Sequence, residues 1–179
     1  MTSVHTYNPT KNSDGTLINT SKRDAETEQL VSKKIQKEWG CTANHYAPLS
    51  VIDFYLVQHN RVMGNAEIKG NRNHKSTDYT TVFLAFHKWI ALLMAQQGTG
   101  LPSIAIFPFS DCVRFIHIMD VDATKIVLGG MKKIEYAQSN IEPCILVPIS
   151  STKLILPNNS PFYNPLEKPR TFSDAEFIV

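Results

Sequence analysis

The stretch from residue 51 to residue 69 constrains the fold most. Residues 51–57 form a run rich in β-formers, Gln58-His59-Asn60 has the chemistry of a turn, and residues 61–69 resume an extended pattern. Two such runs so close in sequence are expected to pair as an antiparallel hairpin. Each arm carries an acid inside its apolar pattern, Asp53 on the first and Glu67 on the second. Strand side chains alternate between faces, so Glu67 and Lys69 share one. With the turn centred on Asn60, paired positions sum to 120 and Asp53 lies opposite Glu67. Directly opposed Cβ atoms stand about 5 Å apart. Two carboxylates that close repel each other unless a cation lies between them. A hard divalent ion such as Mg²⁺ suits oxygen ligands, and the Ile68 carbonyl offers a third. A turn of even length without a bulge would instead put the two acids on opposite faces, so the turn decides the geometry.

Around this hairpin the chain reads as a flexible arm over residues 1–22, one folded unit over 23–156 and an extended tail over 157–179. A helical pattern begins at Asp24, with Asp24, Glu28, Val31 and Ile35 on one face, Leu30 and Trp39 beside it, and Gly40 as its stop. Residues 82–84 suggest a short extended piece. Residues 86–97 suggest a helix, with Phe86, Trp89, Ile90 and Leu93 at helical spacing and Gly98 just past its end. Two strands follow, 103–109 and 112–119, joined tightly at Ser110-Asp111, and then short strands near 125–128, 144–149 and 153–156. This order predicts a single α/β domain, a mixed central sheet flanked by helices.

Composition narrows the function classes. Hydrophobic residues make up 42% of the 179, enough for a core, and charged residues 19%, too few for a disordered chain. The longest apolar run, residues 89–95, falls far short of the about 20 residues that cross a bilayer, so no membrane span is expected. The first residues lack the basic-then-apolar layout of a secretory signal, and a cytoplasmic protein is expected. Cys41, Cys112 and Cys144 form no CxxC pair, which fits a reducing compartment. The net charge is only +2, so contact with nucleic acid needs a local basic strip. Arg72, His74 and Lys75 supply one, with no acid until Asp78, and Lys88 lies on the first turn of the second helix.

A helix bearing a Glu, an Asp on one strand, Glu-x-Lys on the next, and then a helix and two strands resembles the PD-(D/E)XK nuclease superfamily. Within it, the layout is most similar to Holliday-junction-resolvase-like and phage-encoded nucleases, over roughly residues 24–119. The resemblance implies a restriction-endonuclease-like fold with core order α-β-β-α-β-β. It implies Mg²⁺-dependent hydrolysis of DNA phosphodiesters, with Mn²⁺ able to substitute, by an endonuclease or junction resolvase of phage origin. Carried over, Asp53 and Glu67 become metal ligands together with the Ile68 carbonyl, and Lys69 positions the attacking water or offsets charge. Glu28 becomes the auxiliary acid, with Glu26 its rival, and Arg72, His74, Lys75 and Lys88 become contacts to DNA. A homodimer follows by analogy alone. The family's Pro before the Asp is replaced here by Ile52. The alternative is a non-catalytic DNA-binding or virion-associated protein on the same fold. A third reading is an interaction module that docks through the tail after Leu156.

Overall fold

The structure is a computed structural model that describes residues 22–47, 50–69, 74–129, 141–157 and 159–162. Helix α1 (Lys22–Trp39) is rich in helix formers and carries a Lys34–Glu38 pair at 2.9 Å on its surface. It buries Thr27, Val31, Ile35 and Trp39, each one turn after the last. Leu30, expected beside this face, is instead 43% exposed, because the inward stripe runs along the four-residue spacing that Trp39 anchors. Gly40 ends the helix at φ +66°, donating its N–H to the Gln36 carbonyl at 3.0 Å.

Strand β1 (Thr42–His45), which the residue pattern did not announce, pairs antiparallel with β2 (Phe54–Gln58). Its polar sequence has little strand propensity of its own, and its pairing with β2 makes it a strand. Strand β2 turns at His59-Asn60 into β3 (Arg61–Ile68). Both turn residues have positive φ, 48° and 60°, as a two-residue type I′ turn requires. The turn is therefore even, and Gln58 pairs with Arg61 and Val57 with Val62. A bulge at Met63 then shifts the register, and Leu56 pairs with Gly64, Tyr55 with Asn65 and Phe54 with Ala66. The sum of 120 fails at the turn and holds at the acids, because the bulge contributes the residue that the turn lacks.

Beyond the hairpin come β4 (Thr81–Ala85), α2 (Phe86–Thr99), β5 (Ser103–Pro108), β6 (Val113–His117), β7 (Ile126–Gly129), β8 (Glu142–Pro148) and β9 (Lys153–Leu154). A six-stranded mixed sheet has the order β1-β2-β3-β5-β6-β9, with β3 and β5 parallel and its other neighbours antiparallel. The expected α/β fold, a mixed central sheet flanked by helices, is thus present, and a second sheet stands beside it. Strands β4, β8 and β7 form a second, antiparallel sheet, because β4 pairs with β8, far along the chain, and not with the hairpin.

Strand β5 is buried along its whole length and divides the core in two. Ile104 and Ile106 join Phe54, Leu56, Ala66 and the inward residues of α1 on one face. Ala105 and Phe107 join Leu92 of α2 with Leu84, Ile145 and Val147 of the second sheet on the other. Each fully buried Phe or Ile contributes roughly 1.5–3 kcal/mol. Helix α2 runs past Gly98 and is capped by Gly100 at φ +70°, whose N–H bonds the Gln96 carbonyl at 2.8 Å. Packing also continues beyond residue 157: the Trp39 indole, which donates to the Leu156 carbonyl at 3.0 Å, also donates to Asn159 Oδ1 at 3.4 Å, and its ring meets Phe162 edge-on at 5.9 Å. No helix among the described residues is long and apolar enough to cross a membrane.

Candidate active site

The bulge in the hairpin puts Asp53, Tyr55, Asn65 and Glu67 on the sheet face that α2 covers. Asp53 stands one residue before β2, and Glu67 is the penultimate residue of β3. The two carboxylates meet at one atom. The Lys88 ammonium, from the first turn of α2, donates to Asp53 Oδ1 and to Glu67 Oε2, each at 3.0 Å, and stands 2.8 Å from Glu67 Oε1 as its ion-pair partner. Lys88 reaches inward because it precedes Leu92, the buried residue of α2, by one turn. The stripe expected on this helix is one residue out of phase: Phe86 and Trp89 pack on the core, but Ile90 lies at the surface and the deepest position is Leu92.

Burial dominates the electrostatics. The Glu67 side chain is 3% exposed, against 29% for Asp53 and 19% for Lys88. Loss of solvent, and then the Asp53 carboxylate beside it, push the Glu67 pKa up to about 8 against the pull of Lys88. For Lys88, burial alone would favour the neutral amine. The two carboxylates more than offset it, and the net shift is upward. A carboxylate pair so placed holds a cation or a proton.

The donor set is hard oxygen. Asn65 and Lys69 give their N–H groups to the Pro102 and Ile106 carbonyls on the β5 side, at 3.0 and 2.8 Å. Backbone groups alternate along a strand, so the Ile68 carbonyl turns the other way, toward the side where Asp53 lies. Two carboxylates and one carbonyl fit a hard divalent cation better than a soft one. Among the described residues no three His, Cys, Asp or Glu gather as a metal cluster.

The remaining candidates lie at different distances from this centre. Lys69 is half-buried just past the end of β3, and its charge acts on the Cys144 thiol of β8. Among the described residues its ammonium makes no ion pair with Asp53 or Glu67. Glu28 is on α1, where its Oε2 stands 3.8 Å from His45 Nε2, and it lines an open hollow with Glu26, Ser32 and His45. The structure does not gather it with Asp53 and Glu67 as a third acid. His74 stands 4.0 Å from Asp78 and edge-on to Tyr79, and the Lys75 N–H donates to Asp78 Oδ2 at 2.8 Å. Asp111 ties this loop to the β5–β6 turn by accepting the N–H and hydroxyl of Ser76. Arg72 lies outside the described residues.

Sequence reasoning passed over the floor of the site. Tyr46 Oη donates to Asn65 Oδ1 at 2.6 Å, Asn65 Nδ2 donates to Ser103 Oγ at 3.1 Å, and the Ser103 N–H donates to Gln96 Oε1 at 2.9 Å. This chain pins β3 to β5 and α2 two residues before Glu67. Its one sequence signal is an amide, Asn65, at the same strand parity as Glu67.

A family model described as "Phage putative PDDEXK endonuclease" matches residues 18–155. The solved Holliday junction resolvase Hjc of the archaeon Archaeoglobus fulgidus is similar at a TM-score of 0.45 and 12% identity, over 70% of this chain and 96% of that one. No curated protein matches.

Proposed function

The chain belongs to the phage PDDEXK endonuclease family, a nuclease family, and from that premise we propose that it hydrolyses DNA phosphodiester bonds in a Mg²⁺-dependent reaction, as an endonuclease or junction resolvase. The observation that carries the reading is the opposition of Asp53 and a nearly fully buried Glu67, held together by one ammonium. Burying an acid that deeply is costly, and a structural role would be served as well by an amide.

In this reading Asp53, Glu67 and the Ile68 carbonyl hold the cation, and Mn²⁺ substitutes for Mg²⁺. Bound there, a divalent cation polarises a phosphoryl oxygen and makes water at the site more acidic. Lys69, beyond the strand end on the Glu67 face, orients the attacking water and offsets the charge that develops on the phosphate. The Tyr46–Asn65–Ser103–Gln96 chain keeps β3 in register, so the carboxylates do not need to reorganise as the reaction proceeds. His74 and Lys75 meet the DNA backbone beside the site, with Arg72 in the same loop. The protein acts in the cytoplasm, and as a homodimer when two strands are cut.

The test is cleavage of labelled duplex, single-stranded, branched and RNA substrates with Mg²⁺, Mn²⁺ or chelator. Metal-dependent cutting that falls by about 10²–10³-fold or more in Glu67→Gln and Lys69→Ala supports the reading, and the preferred substrate gives the subclass. A folded protein that cuts nothing, and binds no metal through Asp53 and Glu67, overturns it in favour of a non-catalytic DNA-binding protein.

A further inference from the structure

Lys88 stands where a metal would have to stand. Its ammonium donates to Asp53 Oδ1 and to Glu67 Oε2, each at 3.0 Å, and stands 2.8 Å from Glu67 Oε1 as its ion-pair partner. These are three of the four oxygens that a cation held by the acidic pair could use. We infer that Lys88 is the resident counter-ion of the Asp53–Glu67 pair, that a divalent cation enters only by displacing its ammonium, and that the displaced ammonium then faces the substrate phosphate. This rests on the nuclease reading and assigns Lys88 a role different from a plain contact to DNA.

Both cations cannot be held at once. Mg²⁺ takes its oxygens at about 2.1 Å, so an ammonium about 3 Å from the same oxygens would overlap the ion's own space. Like charges packed together beside a 3% exposed carboxylate would also repel strongly. One cation must leave, and the chain provides for it. Lys88 has a flexible four-carbon stem, its side chain is 19% exposed, and the first turn of α2 holds no acid that would capture it elsewhere. Without a cation the pair still needs a positive partner, and Lys88 meets that need in the folded apoprotein. Lys69, which makes no ion pair with the acids among the described residues, is free of this duty and suited to a different one.

The test measures metal binding to the full chain without DNA. Isothermal titration with Mn²⁺ and Mg²⁺ compares the wild type with Lys88→Met, Lys88→Gln and Glu67→Gln. Removing the competing ammonium is expected to tighten Mn²⁺ binding about tenfold or more in both Lys88 variants, the scale of a coupling between occupants that exclude each other. In the wild type, an amine-reactive label read by mass spectrometry is expected to modify Lys88 several-fold faster with saturating Mn²⁺ than with chelator. This second measurement stands even if the variants fold poorly. Unchanged or weaker metal binding in folded Lys88 variants, or labelling of Lys88 that ignores metal, overturns the inference and leaves the nuclease reading in place. Metal binding that Glu67→Gln does not weaken overturns the nuclease reading itself.

Discussion

At the scale of single residues, Glu67 contributes a pH dependence to the stability of the protein. Its ordinary pKa of 4.5 is raised to about 8 in the fold, by burial first and by Asp53 second. Below pH 4.5 the carboxyl is protonated whether the chain is folded or not. Between 4.5 and about 8 the unfolded chain releases the proton while the folded chain keeps it, so the folded state binds more protons and stability falls as pH rises. Above about 8 this contribution is flat. In chelator, the melting temperature of the wild type is expected to fall between about pH 5 and pH 8 by several degrees more than that of Glu67→Gln. Parallel melting curves against pH would show that Glu67 titrates normally. The pair itself was legible in the sequence, because an acid inside an apolar strand pattern is costly and therefore conspicuous. The position of Lys88 was not, since a lysine on the first turn of a helix looks the same whether it faces solvent or a buried carboxylate.

At the scale of elements, the hairpin shows how two departures from the simplest reading compensate. The turn is one residue shorter than a centre at Asn60 implies, and the bulge at Met63 restores the count before the acids are reached. His59 and Asn60 both adopt positive φ without a glycine, which costs the turn some stability. The double substitution His59→Asn with Asn60→Gly installs the Asn-Gly pair that type I′ turns favour. It is expected to stabilise the protein by about 0.5–1 kcal/mol without moving the register. Thermal unfolding checks the first point, and unchanged Asp53-dependent metal binding checks the second. Just after the bulge, a Cβ at Gly64 would run into the Pro102 carbonyl oxygen and the Phe162 ring. Gly64→Ala is therefore expected to destabilise by about 1–3 kcal/mol, read from chemical denaturation. Helix α2 carries the opposite lesson. Its apolar residues are too evenly spread for the stripe to be read to the nearest residue, and an error of one position rotates the helix by about 100°. That rotation separates a surface Lys88 from one at the centre of the site.

At the scale of the whole molecule, three layers hold the site, with α1 on one face of the large sheet and α2 with the small sheet on the other. The layers are closed by residues far apart in the chain. Trp39, at the end of α1, packs edge-on against Phe115 at 5.0 Å and against Phe162 at 5.9 Å, and bonds the Leu156 carbonyl. Phe162→Ala is expected to lower stability by roughly 2 kcal/mol, seen as a lower denaturant midpoint, since it removes a ring from a partly buried contact. A midpoint equal to the wild type would mean that this segment adds nothing to the fold. Local pattern determined the hairpin, the two helices and the β5–β6 pair, because period-2 and period-3.6 spacing, a turn and a terminal glycine each act over a few residues. It also singled out the two acids, whose opposition depends on the register that the bulge sets. Only the tertiary structure decided the second sheet, the bulge and the face that α2 turns inward. Each of these depends on what lies on the other side of a contact, Ile145 against Leu84 or Glu67 against Lys88, and no window of neighbouring residues contains both partners.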